Sequence, residues 1–318
     1  MNENKREFKL NFGNQEVIVE SGRMAKQADG SVLVTSGETQ VLVTVCSAKE
    51  QKPGQDFFPL MVEYVEKFYA AGKFLGGFMK REARPTTAET LNARLIDRAL
   101  RPLFPEGYMF DTIVSCTVVS YGEDGDPEVL ASLGASAALS ISDIPFDGPI
   151  GTCKVGKIDG NLVVNPHFTE WENSEFQLAV SASKDAILMV EGEANQHSEK
   201  EILDAILFAH EQIKEYCSLV ETMKSEIGKE KRVFVPVDQN TVLTDKVKAD
   251  YSSEARLALN IVDKLERQVA VKKIEHKVAE DAANSPADFG LTEDDSFGKH
   301  AYASVDGLLY DMLRTDIL

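Results

Sequence analysis

The sequence predicts an α+β fold followed by a small all-helical region. Short Val-rich segments with turn residues between them fill the first 70 positions, which is typical of antiparallel strands. A second group of strand-like segments begins near Pro149. From about residue 242 the pattern becomes helical and is rich in Lys, Glu, Ala and Leu. A chain of 318 residues is long enough for roughly two domains.

These changes in composition set the predicted domain limits. An α+β domain is expected at 1–228, with two βαβ-type halves at about 1–147 and 148–228. The charged run GKEKRVFVPVD, which contains Pro236, predicts a linker at 229–240. The remaining residues, 241–318, are expected to form an all-helical domain, and the chain stops there with no tail.

The first half is expected to alternate strands and helices. Predicted strands lie at 8–10, 17–19, 31–35, 39–45, 60–68 and 111–120. A helix should begin after Thr86 and end near Arg101, since Pro102 disfavours helical geometry in the residue before it. A second helix is expected at 127–141, where Ala, Ser and Gly permit close packing and Pro127 suits the first turn.

The second half should contain two strand pairs and a long helix. The pair Asp159-Gly160 is a strong hairpin signal between strands at 151–157 and 161–164. Further strands are expected at 175–183 and 186–190, before a helix at about 199–223. In the last region, Leu257, Ile261, Leu265 and Val269 recur every four residues and predict a helical apolar stripe.

The bulk composition excludes several classes of protein. A hydrophobic content of 43% suits an ordinary soluble globular chain, and no run of about 18 apolar residues predicts a membrane span. The four cysteines and five histidines are scattered, so we expect reduced core cysteines and no metal site. A start without a signal-peptide pattern favours the cytoplasm. The net charge of −18 argues against a general nucleic-acid coat.

The segment from residue 72 to residue 105 departs from this acidic background. It carries seven basic residues against three acidic ones: Lys73, Lys80, Arg81, Arg84, Arg94, Arg98 and Arg101 against Glu82, Glu89 and Asp97. A local positive surplus in an acidic protein suits a polyanion that must be held at one place and repelled elsewhere.

The helical part of this segment presents arginines on one face. Thr86 and Glu89 form a capping-box pattern. On a helical wheel, Arg94, Arg98 and Arg101 fall within about 60° of one another, opposite Leu91, Leu95, Ile96, Ala99 and Leu100. The arginines can bind phosphate oxygens. Equally, they can form a solvated face, with Asp97 pairing with Arg101 and Arg94.

The residues before the helix favour contact with RNA. Gly76 and Gly77 precede Phe78, Met79, Lys80 and Arg81 in a predicted flexible loop. Aromatic rings stack on the bases of single strands, and neighbouring cations neutralise the phosphates. The alternative is a Phe78 ring packed in the core beside an ion-paired loop.

The stretch FMKREARPTTAETLNARLIDRALRPLFPEGY strongly resembles the first core domain of the bacterial polynucleotide phosphorylase family, which are phosphorolytic 3′-to-5′ exoribonucleases. The resemblance continues through SGETQVLVTV, PLMVEY, DPEVLASLGASAALSISDIPFDGPIG and LMVEGEA, and so covers essentially the whole chain. It implies an RNase PH-like α+β domain for about residues 1–225, followed by the all-helical linker domain of the family.

The resemblance also implies roles for individual residues. Phe78 matches the first aromatic residue of the family's Phe-Phe-Arg-Arg signature at the entry aperture for RNA. Met79 replaces the second Phe, Lys80 replaces the first Arg, and Arg81 is retained. Arg94, Arg98 and Arg101 match family arginines near the RNA path. With Arg84 from the basic segment, these residues are the RNA-binding candidates: Phe78, Met79, Lys80, Arg81, Arg84, Arg94, Arg98 and Arg101.

No catalytic residue or metal ligand is expected in this chain. In the family, the phosphate-binding loop and the Mg²⁺-holding aspartates belong to a second core domain, so Mg²⁺ and inorganic phosphate are implied as cofactor and co-substrate of the longer protein. The corresponding loop here, Gly122–Glu128, carries four acids that would repel phosphate. Asp124, Asp126 and Glu128 are instead expected to cap the following helix.

Two functional hypotheses follow from the resemblance. The chain is either the N-terminal part of a phosphorolytic exoribonuclease, truncated before a second RNase PH domain, or a stand-alone non-catalytic ring subunit of an exosome-like assembly. The implied partners are single-stranded RNA, two further copies in a homotrimer and degradosome-type proteins. Neither a membrane nor DNA is expected as a partner.

Overall fold

The computed structural model describes residues 5–13, 15–52, 55, 57–76, 78, 80–82, 84–234, 241–292 and 296–318. The chain divides into two compact units, Met1–Pro236 and Val237–Leu318. The first unit is α+β and the second is helical in its described part.

A six-stranded sheet forms the first half of the first unit. Its strands are β1 (Arg6–Phe12), β2 (Gln15–Ser21), β3 (Gly30–Ser36), β4 (Thr39–Ser47), β5 (Leu60–Glu66) and β6 (Thr112–Ser120), and their order is β1-β2-β3-β4-β6-β5. The strand pairs are antiparallel except for β5 and β6, which are parallel. Helix α1 (Thr87–Leu100) connects that parallel pair, and α2 (Pro127–Ile141) follows β6.

A four-stranded sheet and a long helix form the second half. The order is β10-β9-β7-β8, from β7 (Gly151–Ile158), β8 (Asn161–Val164), β9 (Phe176–Ala182) and β10 (Ile187–Ala194). Helix α3 (Glu199–Ile227) follows. The βαβ arrangement expected of each half is present in the first. In the second half, the described strand pairs are all antiparallel and the helix comes after them.

Helix α2 lies in the core that the two halves share. All of its residues from Val129 to Ile141 are buried, and its small side chains allow the sheet to approach. A Cβ added to Gly134 would lie 2.6 Å from Val43, so this position requires glycine. Ser132 and Ser181 both hydrogen-bond to the Thr152 hydroxyl, at 2.7 and 2.8 Å, which satisfies these polar groups inside an apolar core.

Two expectations about buried side chains are wrong. Leu91 was placed on the apolar face of α1, but its side chain is 53% exposed. Cys46 lies on the exposed side of β4, whereas the other three cysteines are buried as expected. For α1, sequence periodicity identified the buried face but not where that face ends.

Residues 229–234 form a strap that is hydrogen-bonded to earlier segments of the first unit. The backbone N–H groups of Lys229 and Arg232 donate to the carbonyls of Ile141 and Asp143, at 3.0 and 2.7 Å. Arg232 also binds Asp143 through two nitrogens, at 2.8 and 2.9 Å, and Asp29 at 2.9 Å. The first part of the segment predicted as a linker is therefore bound along the domain surface.

The second unit contains α4 (Thr241–Leu259), α5 (Lys264–Asn284) and α6 (Phe297–Ile317). Its core includes Val247, Ala255, Val278, Ala282 and Val305. The predicted stripe at Leu257, Ile261, Leu265 and Val269 is wrong. It crosses the break between α4 and α5, and Leu257, Leu265 and Val269 are exposed. Asp263 starts a new helix there because its side chain accepts from the N–H groups of Leu265 and Glu266, both at 2.9 Å.

Candidate nucleic-acid interface

A loop between Phe68 and Glu82 connects β5 to the segment before α1. Its two ends are joined by Glu82, which binds the Lys67 ammonium at 2.5 Å and accepts from the Phe68 N–H at 3.3 Å. The hydrogen bond with Lys67 lowers the pKa of Glu82 from its ordinary value. The Lys73 N–H also donates to the Phe68 carbonyl at 3.0 Å. The base of the loop is thus closed, and its described tip extends beyond these bonds.

The tip of the loop carries two phenyl rings in solvent. Phe78 is 97% exposed and Phe74 is 96% exposed. The alternative of a core-packed Phe78 is therefore excluded. Sequence reasoning passed over Phe74, although its position next to Lys73 was the same signal that drew attention to Phe78. Large apolar side chains that are fully exposed are candidates for contact with a ligand.

Cationic residues lie near the two rings in the sequence. Lys73, Lys80, Arg81 and Arg84 are exposed, and within the described residues none of their side chains has an ion pair. Met79 lies outside the described residues. Glu82 is already paired with Lys67, so the tip presents a net positive surface close to the aromatic rings.

A buried carboxylate fixes the segment after the loop. Glu89 accepts from the backbone N–H of Glu66 at 2.9 Å and from that of Thr86 at 2.7 Å, while the Thr86 hydroxyl accepts from the Glu89 N–H at 3.1 Å. Burial alone would raise the pKa of Glu89, but these hydrogen bonds outweigh burial and lower it. The predicted capping box is confirmed, and Glu89 also joins the start of α1 to the end of β5.

The three helix arginines differ in what they contact. Arg94 is exposed and has no ion pair within the described residues. Arg98 forms an ion pair with Glu191 of β10. Arg101 pairs with Asp97, as the solvated-face alternative expected, but the described structure shows no Arg94–Asp97 pair. Only Arg94 thus retains all its donors for another molecule.

Arg101 is largely occupied by contacts within the chain. Its Nε and Nη2 donate to the two Asp97 oxygens at 2.7 and 2.6 Å. Its Nη1 and Nη2 donate to the carbonyls of Phe58 and Leu60, both at 3.1 Å. The bond to Asp97 raises the pKa of the guanidinium. Four of its five N–H groups are therefore used, which leaves one for a ligand.

A cleft of about 490 Å³ lies beside α1 and contains the acidic turn predicted to lack phosphate affinity. It is lined by Glu66, Glu123, Asp124, Asp126 and Glu128, with Lys154 as a lining cation. Lys154 lies between Asp126 and Glu128, at 2.8 and 2.9 Å, and is therefore neutralised by them. Phosphate would meet a net negative charge here.

The acidic turn serves the start of α2. The Asp126 side chain accepts from the N–H groups of Glu128 and Val129, at 3.0 and 3.4 Å, which confirms the expected cap for Asp126. Glu128 lies in the first turn and binds Lys154 through its carboxylate, and within the described residues Asp124 shows no capping bond to α2. Burial raises the pKa of Glu128, although Lys154 opposes the increase. For Lys154, burial would lower the pKa, but Asp126 and Glu128 outweigh it and raise the pKa. Within the described residues, no group of three His, Cys, Asp or Glu side chains could hold a metal ion.

Two family models match this chain. The model described as the 3′ exoribonuclease family, domain 1, matches residues 14–145, and the model of domain 2 matches residues 148–212. Together they cover more than half of the chain, and the point where they meet lies between α2 and β7. The chain belongs to the 3′ exoribonuclease family. The RNase PH-like α+β fold expected from the resemblance is thereby confirmed.

Among curated members of the 3′ exoribonuclease family, the chain is similar to several proteins named polyribonucleotide nucleotidyltransferase. The one from Trichlorobacter lovleyi is 45% identical over 99% of this chain and 44% of its own length. The relative from Pelobacter propionicus is 46% identical over 97% of this chain and 43% of its own. The relative from Staphylococcus saprophyticus is 42% identical over the whole chain and 44% of its own. The chain thus spans less than half the length of these relatives.

In the described part of the chain, no helix is both long enough and apolar enough to cross a bilayer.

Proposed function

We propose that this chain binds single-stranded RNA through the 68–82 loop and the exposed arginines near it, and that it guides RNA in a polyribonucleotide nucleotidyltransferase. That enzyme is a phosphorolytic 3′-to-5′ exoribonuclease of mRNA degradation, which transfers the terminal nucleotide of RNA to phosphate and releases a nucleoside diphosphate. The similarity to relatives of that name supports the activity. The exposed rings and free cations of the loop support the RNA-binding role.

The charge distribution carries the RNA-binding proposal. A chain with a net charge of −18 repels polyanions over most of its surface. The 68–82 loop with Phe78, Lys80 and Arg81, together with Arg84 just after it, is the place where that repulsion is reversed. Arg94 extends the positive surface along α1. Arg98, which is paired with Glu191, and Arg101, which has one remaining N–H group, complete the proposed site. Met79 belongs to the proposed site by its place in the sequence.

This chain is proposed not to carry the chemical step. The described residues do not fit Mg²⁺. The carboxylates of Asp126 and Glu128 are already paired with Lys154, and within the described residues no group of three His, Cys, Asp or Glu side chains could hold a metal ion. The acids of the same cleft also oppose phosphate. We assign Mg²⁺ and inorganic phosphate to a separate catalytic core domain of the longer enzyme.

The remaining parts of the proposal concern assembly. We propose a homotrimer in the cytoplasm, with degradosome-type proteins as further partners and neither membrane nor DNA as a ligand. The likeness in sequence to polyribonucleotide nucleotidyltransferases supports this assignment.

The test is binding of a fluorescein-labelled oligo(A) strand, followed by anisotropy over a range of salt concentrations. We expect the Phe78→Ala, Arg81→Ala double variant to bind at least about 5-fold more weakly, because it loses a stacking ring and a phosphate contact. The slope of log affinity against log salt should also fall by about 0.7 for the lost charge. Lys246→Ala, which removes a cation of the helical unit, is the control. Unchanged binding of the double variant across salt would refute the role of the loop.

A second candidate function is a stand-alone, non-catalytic RNA-binding ring subunit of an exosome-like assembly. The acidic cleft favours it, because the charge of its lining opposes phosphate and no group of three metal-ligating side chains converges within the described residues. Reading the gene beyond the codon for Leu318 separates the two candidates. A following second RNase PH domain supports the enzyme, and a stop codon supports the subunit.

A further inference from the structure

We propose that Phe74 is a second base-stacking side chain of the 68–82 loop, which acts with Phe78 on one single strand of RNA. This inference rests on the proposed RNA-binding function and extends it to a residue outside the basic-aromatic run that begins at Phe78.

The first argument is the exposure of the ring. Phe74 is 96% exposed, whereas Phe68 and Tyr69 at the base of the loop are 46% and 60% exposed and so keep part of their surface in contact with the chain. Burial of a phenyl side chain is strongly favourable, so a ring left almost wholly in water lacks a structural role within this unit. Phe74 and Phe78 are both almost fully exposed in this way.

The second argument is that the backbone next to Phe74 is held in place. Gly72 adopts the left-handed conformation, with φ of 66°, and ends the short helix Phe68–Ala71. The Lys73 N–H then donates to the Phe68 carbonyl at 3.0 Å, and the Tyr121 N–H donates to the Ala70 carbonyl at 3.0 Å. Phe74 follows this bonded turn directly. A ring presented from a fixed backbone loses less entropy when a ligand binds.

The third argument is the chemistry around the two rings. Lys73 precedes Phe74, and Lys80 and Arg81 follow Phe78, so each ring has a cation within two residues. Three residues separate the rings along the chain, so four Cα–Cα steps place their Cα atoms no more than about 14 Å apart. A short single strand can therefore reach both rings while its phosphates meet the cations. An apolar protein surface would match the rings but not the surrounding charge.

The experiment measures oligo(A) binding by anisotropy for the full chain and four variants. Phe74→Ala should weaken binding about 5-fold or more, as expected for the loss of one stacked base. Phe74→Leu keeps an apolar side chain without an aromatic face and should bind as weakly as Phe74→Ala. Phe74→Trp should bind at least as tightly as the unaltered chain. Phe168→Ala removes an exposed phenyl ring from the second half and should leave binding unchanged.

A spectroscopic readout tests stacking directly. An oligonucleotide with 2-aminopurine should lose fluorescence on binding, and Phe74→Ala should restore part of that fluorescence at saturating protein. Equal quenching by the two proteins would show that the ring does not stack.

The outcomes separate this inference from the function on which it rests. If the unaltered chain does not bind oligo(A), the proposed function fails and the inference fails with it. If the Phe78→Ala, Arg81→Ala double variant binds more weakly and Phe74→Ala does not, only the inference is overturned. If Phe74→Ala changes the sedimentation coefficient but not RNA affinity, Phe74 contacts a second copy of the chain, and the inference is again overturned.

Discussion

At the scale of single residues, one exposed and one buried carboxylate, those of Glu82 and Glu89, hold the segment that carries the RNA-binding candidates. Glu82 closes the loop across Lys67 and the Phe68 N–H, and Glu89 ties Thr86 to Glu66. Neither glutamate contacts RNA in the proposed function. Both position residues that do, because they fix the two ends of the segment that carries the rings and the cations.

Removal of the Glu82 side chain should loosen the loop. We expect Glu82→Ala to increase the rate of limited trypsin cleavage after Lys73, Lys80 and Arg81 by about 2- to 5-fold, because the loop loses an exposed ion pair at its base. Lys67→Ala should act in the same direction despite the opposite change in charge. Glu82→Gln retains an acceptor for the Phe68 N–H and should have a smaller effect. If all three variants are cleaved at the rate of the unaltered chain, the loop is held by other contacts.

At the scale of elements, caps and breaks determine where helices begin, and local sequence identifies most of them. The Thr86–Glu89 capping box and the limits of Pro127–Ile141 agree with the prediction because both depend on neighbours within a few residues. The break between α4 and α5 was missed. The four-residue periodicity passed through it, and the Asp263 cap signal was not used.

Two substitutions of Asp126, the N-cap of α2, should separate the contribution of charge to stability from that of hydrogen bonding. Asp126→Ala should lower the free energy of unfolding by about 1–2 kcal/mol, because the Glu128 and Val129 N–H groups lose their acceptor. Asp126→Asn should lose less, since asparagine caps as well as aspartate and Lys154 keeps Glu128 as a partner. Urea unfolding followed by the fluorescence of Trp171, the one tryptophan of the sequence, reports on this unit. Equal losses in the two variants would assign the effect to charge.

The contact between Asp143 and the strap of residues 229–234 should make the stability of the fold depend on pH. Hydrogen bonding to Arg232 lowers the pKa of Asp143 to about 2, so ionised Asp143 stabilises the fold above the ordinary aspartate pKa. That stabilisation should be lost as the pH falls from about 4 towards 2. The advantage of the unaltered chain over Asp143→Asn in urea unfolding should therefore shrink over this range. A difference that stays constant from pH 5 to pH 2 would contradict the prediction.

At the scale of the whole molecule, opposite charges are separated into two places. The cations gather at the 68–82 loop and the exposed face of α1, while the cleft between the two halves is acidic. RNA is expected to be attracted at the first place and excluded from the second.

This separation predicts that the 318-residue chain is inactive in phosphorolysis. Incubated with poly(A), Mg²⁺ and inorganic phosphate, it should release no nucleoside diphosphate, because its cleft repels phosphate and its described residues offer no metal site. Thin-layer chromatography of the products measures this against a mock preparation. Turnover clearly above that background would show that this chain carries a catalytic centre of its own.

The sequence by itself determined the α+β class, most element positions, the helix caps and the basic, aromatic segment. Each of these depends on residue types within a few positions of one another. The tertiary structure decided which of those side chains are free. It occupied Arg101 with Asp97 and two carbonyls of a distant segment, paired Arg98 with Glu191, and left Phe74 and Phe78 in solvent. The Arg101–Asp97 pair is local and was predicted, but the contacts of Arg101 with Phe58 and Leu60 and of Arg98 with Glu191 join residues far apart in the chain, and no local pattern encodes them.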